Sequence, residues 1–128
     1  VLLNAGSHGS TFGGNPVAAA AGIAVLDTIE TENLLANVRI VGERLRAGVG
    51  ALGHPLVAGV RGIGLLLAVH LTAPVAFRAA AAALRAGFIV NPVAADALRL
   101  APPLILSTGQ AREFVTALPA ILDDLGEV

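Results

Sequence analysis

The sequence predicts an α/β fold in which helices pack on a small sheet. Apolar residues recur at helical spacing in several stretches, strand-like runs of Val, Ile and Leu lie between them, and Gly or Pro residues separate the segments. Helices and strands therefore mix within one small domain. We expect a small mixed or antiparallel sheet that is packed with helices and preceded by a long helix.

The first helix is predicted from Pro16 to about Glu30. Asn15 is a good N-cap, and Pro16 suits the first helical position. The Ala-rich sequence that follows carries no charge before Asp27, so we expect this helix to be buried on most sides. A second helix is predicted for residues 33–52, where apolar residues share one face. These residues are Leu34, Leu35, Val38, Val41, Leu45, Val49 and Leu52.

Two strands are predicted within residues 56–71, because Val, Leu and Ile dominate this stretch. Gly62 and Gly64 are expected to be hairpin or bulge residues. A third helix is predicted to open near Pro74 and to end at Gly87, which suits the position after a helix.

Two short strands, at residues 88–90 and 98–102, are predicted to flank a turn. The final helix has a possible capping box, formed by Ser107 and Gln110. Pro119 lies inside this helix, and we expect it to kink or break the helix.

The composition argues against several kinds of partner. The 128 residues are 55% hydrophobic and 13% charged, with a net charge of -1, so nothing favours nucleic acid or a membrane. The chain has no Cys, and its three histidines lack metal-ligand spacing, so no metal is expected. Because the composition is so apolar, we expect a partner to cover part of the protein's surface. We expect a cytoplasmic protein, because no apolar run is long enough for a membrane span or has the layout of a secretion signal.

Met and Lys are among the residue types that are missing from the chain. There is no Met, and the sequence begins with "VLLNAG", so we expect a piece of a longer chain. There is no Lys, and all eight basic residues are Arg. Chemistry that needs a lysine amine therefore requires residues from elsewhere.

The stretch "HGSTFGGNP", residues 8–16, is a candidate anion site. Its glycines permit close approach to the backbone, and Ser10 and Thr11 supply hydroxyl donors. The amides of the helix that begins at Pro16 could add a positive dipole end. The alternative is a tight turn that only leads into the helix. His8 beside the loop is a possible minor contributor.

Arg99 is the second candidate. In "LRLAPPL" it alternates with Leu98 and Leu100, so it points to the opposite face of the strand from these two residues. A guanidinium that is fixed near the end of a strand can bind a carboxylate through two parallel hydrogen bonds. The alternative is an ordinary solvent-facing arginine.

Three motifs, in this order along the chain, carry a family resemblance. "HGSTFGGNP" before the Ala-rich helix, "VRGIGLLL" and "LRLAPPLI" together resemble the C-terminal part of class III pyridoxal-phosphate aminotransferases. The resemblance implies a homodimeric fold type I enzyme with pyridoxal 5'-phosphate as cofactor. Residues 1–15 would then be a phosphate-contacting loop from the end of the large domain. Residues 16–128 would be a connecting helix and the small C-terminal domain.

The resemblance also implies roles for three residues. The Thr11 hydroxyl would reach the cofactor phosphate of the neighbouring subunit, with Ser10 beside it. Arg99 would bind the α-carboxylate of the amino-acid or 2-oxo-acid substrate. No catalytic residue is expected in this chain, because the family's cofactor-holding lysine, its aspartate partner of the pyridine nitrogen and its glycine-rich phosphate loop would all precede Val1.

The implied reaction moves an amino group between N-acetylornithine and 2-oxoglutarate, in arginine biosynthesis. The chain alone is expected to be inactive. Other ω-amino acids, such as ornithine or 4-aminobutyrate, are alternative donors, since His70 stands where relatives often have an acidic residue. A different class also remains open: a non-enzymatic module that binds phosphate-bearing ligands or associates with an aminotransferase.

Overall fold

The computed structural model describes residues 9–125, which form two compact units. The first unit ends at Leu34 and the second begins at Leu35. The helices are α1 (Pro16–Thr31), α2 (Leu34–Gly50), α3 (Ala76–Arg85) and α4 (Thr108–Asp123). The strands are β1 (Val57–Ile63), β2 (Leu66–Leu71), β3 (Asn91–Ala94) and β4 (Ala97–Leu100).

Helix α1 of the first unit starts where the sequence predicts. Asn15 is its N-cap and Pro16 its first residue. The prediction that most sides of α1 are buried is wrong, because none of its residues is buried within this chain. Val17 is 79% exposed and Leu26 65% exposed. The Ala-rich sequence explains the helix, but the described residues of the first unit do not cover its apolar surface.

The second unit is built on a four-stranded antiparallel sheet with the strand order β1-β2-β4-β3. This arrangement confirms the predicted small sheet packed with helices. Ile63 pairs with Leu66, so Gly64 and Leu65 form a two-residue hairpin turn. The prediction of a hairpin at Gly62 and Gly64 is therefore confirmed. The irregularity in the register of β1 and β2 lies elsewhere, between Val57 and Gly59.

One face of the sheet forms the core with the helices. Leu67, Val69 and Leu98 are almost completely buried on this face. They belong to one apolar cluster with residues of α2, α3 and α4. The buried helix residues of the cluster are Val41, Leu45, Val49, Ala76, Ala79, Ala111, Phe114, Leu118 and Leu122. Leu35, which was predicted on the apolar face of α2, is 54% exposed and does not belong to this core.

The strand predicted at residues 88–90 is wrong, because β3 begins at Asn91. Phe88 belongs instead to the segment that directly follows α3. Its amide donates to the Ala83 carbonyl at 2.8 Å, and its ring packs edge-on against Phe114 at a centroid distance of 5.4 Å. The strand therefore contains Pro92, which is tolerated because β3 is an edge strand.

Helix α4 is fixed at its start by the predicted capping box. The Gln110 amide donates to Ser107 Oγ at 3.2 Å, and the Ser107 amide donates to Gln110 Oε1 at 2.9 Å. Of the kink or break predicted at Pro119, the break does not occur, since α4 continues to Asp123. The helix is retained because Phe114, Leu118 and Leu122 anchor it in the core on both sides of the proline. Within residues 9–125, no helix has both the length and the apolar character needed to cross a bilayer.

We expect Ser107→Ala to lower the free energy of unfolding by about 1 kcal/mol, because the Gln110 amide at the start of α4 loses its acceptor, Ser107 Oγ. Thr116→Ala is the control, since it removes an exposed hydroxyl from the interior of the same helix and changes stability by no more than about 0.5 kcal/mol. Urea unfolding followed by circular dichroism measures both. Equal effects of the two substitutions would contradict a capping role.

Candidate functional site

The loop before α1 has a defined backbone. The Gly13 amide donates to Ser10 Oγ at 2.8 Å, and the Asn15 side-chain amide donates to the Phe12 carbonyl. Gly14 has φ 76°, a left-handed conformation that a side chain would disfavour. The loop is therefore a closed turn whose shape depends on Ser10, Gly14 and Asn15.

The start of α1 does not offer the free amides that the sequence suggested. Asn15 Oδ1 accepts hydrogen bonds from the amides of Val17 and Ala18, at 3.1 and 3.0 Å. Pro16 has no amide hydrogen, and the Ala19 amide donates to the Asn15 carbonyl. The cap and the helix itself therefore already use these amides, while the positive dipole end predicted at the start of α1 stays a prediction.

The hydroxyl groups of the loop remain suited to an anion. Thr11 is exposed, and its hydroxyl makes no hydrogen bond to any residue in the described range 9–125. Ser10 Oγ accepts from Gly13, which leaves its own proton free to be donated. Two adjacent hydroxyl groups on this exposed turn are able to donate to the oxygens of an anion. His8 lies outside the described residues.

Arg99 lies on β4, on the sheet face that is opposite to the core. Leu98 and Leu100 on either side of it are buried, while Arg99 is exposed, so the predicted alternation is confirmed. Arg99 pairs with Ala68 of β2 and with Asn91 of β3. It belongs to the second unit, whereas Thr11 and Ser10 belong to the first.

Arg61 lies in the same row across the sheet. It pairs with Ala68, which in turn pairs with Arg99. Directly opposed residues of an antiparallel sheet share a face, so the row Arg61, Ala68, Arg99 and Asn91 faces away from the core. Sequence analysis singled out neither Arg61 nor Asn91, since only the strand register places them beside Arg99.

Neither arginine of this row is neutralised by its own unit. The ion pairs formed by residues 9–125 involve Arg46 with Glu43, His54 with Asp123, and Arg85 with Asp124. No acidic side chain in the described part of the chain pairs with Arg61 or Arg99. Both guanidinium groups are exposed and retain their donors for a ligand or for a carboxylate from elsewhere.

The histidines do not join the candidate site. His54 Nδ1 accepts the Leu56 amide at 3.1 Å, and Nε2 donates to Asp123 Oδ1 at 3.1 Å, so this ring links the segment after α2 to α4. His70 pairs with Gly59 and Ala97 rather than with the arginine row. Its Nε2 atom is buried and has no hydrogen-bond partner among residues 9–125. The same residues contain no group of three side chains that could hold a metal ion.

The motifs of one enzyme family agree with what the structure shows. These features are the small antiparallel sheet with its helices, the hydroxyl-bearing loop and the strand arginine. A sequence model of the family Aminotransferase class-III matches residues 1–122. The chain belongs to the class III aminotransferases. These are pyridoxal-phosphate enzymes.

Curated relatives narrow the similarity further. The chain is 54% identical over 126 residues to the acetylornithine aminotransferase of Mycolicibacterium smegmatis, covering 98% of this chain and 32% of that protein. It is 57% identical over 126 residues to the acetylornithine aminotransferase of Streptomyces coelicolor, covering 98% of this chain and 31% of that protein. The chain thus spans about a third of the length of the curated relatives that it matches.

Solved structures share the fold. The chain superposes on an acetylornithine aminotransferase from Elizabethkingia anophelis with a TM-score of 0.83 and 32% identity, covering 91% of this chain and 32% of that one. It superposes equally well, with a TM-score of 0.83 and 36% identity, on a PLP-bound amine transaminase from an uncultivated Pseudomonas species, covering 93% of this chain and 30% of that one. These matches indicate pyridoxal phosphate as the cofactor and a partial fold type I architecture.

Proposed function

We propose that this chain is the C-terminal part of an aminotransferase that moves an amino group between N-acetylornithine and 2-oxoglutarate, in the biosynthesis of arginine. The observation that carries the proposal is the identity above 50% to acetylornithine aminotransferases over nearly the whole chain. Ornithine and other ω-amino acids remain the alternative donors. Pyridoxal phosphate supplies the electron-accepting ring for this chemistry when it is bound.

Thr11 and Ser10 hold the phosphate of the cofactor in this proposal. Two neutral hydroxyls donate to phosphate oxygens, and Gly14 sets the turn that presents them. The first helical turn contributes rigidity rather than amide donors, because Asn15 occupies its amides. The loop in residues 1–15 then acts as an extension of the large domain, and residues 16–128 supply the connecting helix and the small domain.

Arg99 binds the α-carboxylate of the substrate. Its backbone is fixed on β4 between two buried leucines, so the sheet sets the face from which the side chain leaves. Two parallel hydrogen bonds to one carboxylate orient the substrate as well as bind it. This positioning applies to the amino-acid and to the oxo-acid substrate, since both carry an α-carboxylate.

The exposed helix α1 supports assembly with other parts of a larger enzyme. Large apolar side chains on this helix, including Val17, Ile23 and Leu26, are more than half exposed within the chain. Such a surface is typical of an interface. We infer a homodimer in which the loop of one subunit contacts the cofactor of its neighbour, in the cytoplasm.

The 128-residue chain is expected to be inactive by itself. It has no lysine, and the amine that holds the cofactor must come from another part of the enzyme. The proposed function is tested by a chimera in which these residues replace the matching segment of the Mycolicibacterium smegmatis relative, to which 126 residues align. The chimera should transaminate N-acetylornithine with 2-oxoglutarate, whereas the isolated chain with added cofactor should not.

The two halves of this test have different consequences. Turnover by the isolated chain would show that its function does not depend on residues outside it. The chimera could also fold, bind the cofactor and prefer another amino donor by a large factor. In that case the preferred donor would replace N-acetylornithine in the proposed reaction.

In the chimera, Thr11→Ala should weaken cofactor binding by about tenfold, because one charge-assisted hydrogen bond to the phosphate is lost. Thr28→Ala is the matched control, since the Thr28 hydroxyl lies in the same unit but donates to the Ala24 carbonyl within α1. Equilibrium titration of the apoenzyme with pyridoxal phosphate, followed by absorbance, gives both affinities. Unchanged affinity of the Thr11→Ala protein would remove Thr11 from the phosphate site.

A further inference from the structure

We propose that a cavity between α2 and α4 binds a phosphate group, which is held by the guanidinium groups of Arg44 and Arg112 and by the hydroxyl of Thr108. The cavity has a volume of about 270 Å³, and these three residues line it together with Gly48, Ala111 and Val115. The inference goes beyond the proposed transamination, because the roles proposed for that reaction fall on other residues.

A close approach of the two helices brings these residues together. A Cβ atom at Gly48 of α2 would meet the side chain of Val115 on α4 at 3.1 Å. Arg44 precedes Gly48 by four residues on α2, and Arg112 precedes Val115 by three residues on α4. Residues at these spacings share a helix face, so both arginines flank the same gap between the helices.

The cavity carries positive charge that the second unit does not neutralise. Neither Arg44 nor Arg112 forms an ion pair or a hydrogen bond within the described range 9–125. Glu43, the neighbour of Arg44 in sequence, is paired with Arg46 at 2.9 Å. No acidic side chain among the described residues lines the cavity. Two unpaired guanidinium groups beside one cavity repel each other, and a dianion between them relieves this repulsion.

The set of donors favours a phosphate over a carboxylate. Thr108 is exposed, and its hydroxyl makes no hydrogen bond to any residue of the described part of the chain. A phosphate group has enough oxygens to accept from two guanidinium groups and a hydroxyl at once, whereas one guanidinium already occupies both oxygens of a carboxylate. The rest of the lining is apolar and leaves room for the organic part of a small phosphate monoester. This part of the lining consists of Gly48, Ala111 and Val115.

The test uses the complete 128-residue chain and follows the Nε–Hε signals of its arginines by NMR while inorganic phosphate is added at constant ionic strength. The Arg44 and Arg112 signals should shift with a common midpoint. Arg44→Gln and Arg112→Gln should each weaken phosphate binding by about tenfold, and Thr108→Val by about threefold. Arg39→Gln is the matched control, because it removes an exposed arginine of α2 that does not line the cavity, and it should leave the affinity within about twofold.

Two further ligands test the chemistry of the site. Acetate should bind at least about fivefold more weakly than phosphate, because it has a single charge and only two oxygens. Tighter binding of glycerol 3-phosphate than of phosphate would assign the site to phosphate monoesters, whereas equal or weaker binding would assign it to the free ion.

Three results would overturn the inference: no response at Arg44 and Arg112, separate midpoints for the two signals, or binding that survives both Arg→Gln substitutions. Thr11→Ala should leave both midpoints unchanged, because the hydroxyl of Thr11 belongs to the loop of the first unit. A failure of the phosphate site would leave the proposed transamination intact, since the chimera tests that reaction separately.

Discussion

Gly42→Ala is expected to destabilise the second unit by about 3 kcal/mol, although alanine is the better helix former. Gly42 lies inside α2 and is buried. A Cβ atom at this position would lie 2.2 Å from the Gly64 carbonyl oxygen and 2.4 Å from its carbonyl carbon. These atoms belong to the turn between β1 and β2, so the hairpin would have to move away from the helix.

Two other glycines of the same helix provide a graded comparison. A Cβ at Gly48 would meet the Val115 side chain at 3.1 Å, and one at Gly50 would meet no atom within 4 Å. Gly48→Ala should cost less than Gly42→Ala, because a side chain can move more easily than a turn. Gly50→Ala should leave stability within about 0.5 kcal/mol of the parent. Urea unfolding of the three variants checks this order, and a Gly42→Ala protein as stable as Gly50→Ala would contradict the close packing.

Features that depend on neighbouring residues were predictable from the sequence. Asn15 and Ser107 cap helices because their side chains reach amides two or three residues away. The hairpin at Gly64 follows from two apolar runs joined by glycines. In each case the interacting groups lie within a few residues of one another, so the sequence contains the whole interaction.

Features that depend on distant contacts were not predictable in the same way. Residues 88–90 have a strand-like composition, but Phe88 closes the end of α3 and packs on Phe114 of α4. Proline commonly breaks a helix, but the apolar contacts on both sides of Pro119 keep α4 continuous. Tertiary packing decided both cases against the local preference.

The residues of the candidate site also fall into those that local sequence patterns predict and those that only the fold reveals. Thr11 and Arg99 were found from short motifs, because hydroxyl residues beside glycines and an arginine between buried leucines are local patterns. The relation of Arg61 to Arg99 depends on the register of three strands, which no short stretch of sequence contains. The structure adds that Asn15, predicted as the N-cap, accepts from the amides of Val17 and Ala18, so these two amides are already used.

Arg99→Gln in the chimeric enzyme is expected to lower kcat/KM for 2-oxoglutarate by about 100-fold, since two charge-assisted hydrogen bonds to the α-carboxylate disappear. The same loss is expected for the amino-acid substrate, because its α-carboxylate uses the same guanidinium. Steady-state kinetics with each substrate varied in turn measures both values. Cofactor affinity should stay within about twofold, since the proposed phosphate contacts lie on Thr11 and Ser10 in the other unit.

Arg99→Lys separates charge from geometry at the same position. It keeps the positive charge but cannot form two parallel hydrogen bonds to one carboxylate, so we expect a loss of about tenfold. The order Arg99, then Lys, then Gln is therefore expected for kcat/KM, with Arg39→Gln at the parental value. Equal activity of the lysine variant and the parent would mean that Arg99 contributes only charge to the site. Parental activity of the glutamine variant would mean that the exposed guanidinium on β4 does not contact the substrate, in which case the carboxylate must be bound by another group of the enzyme.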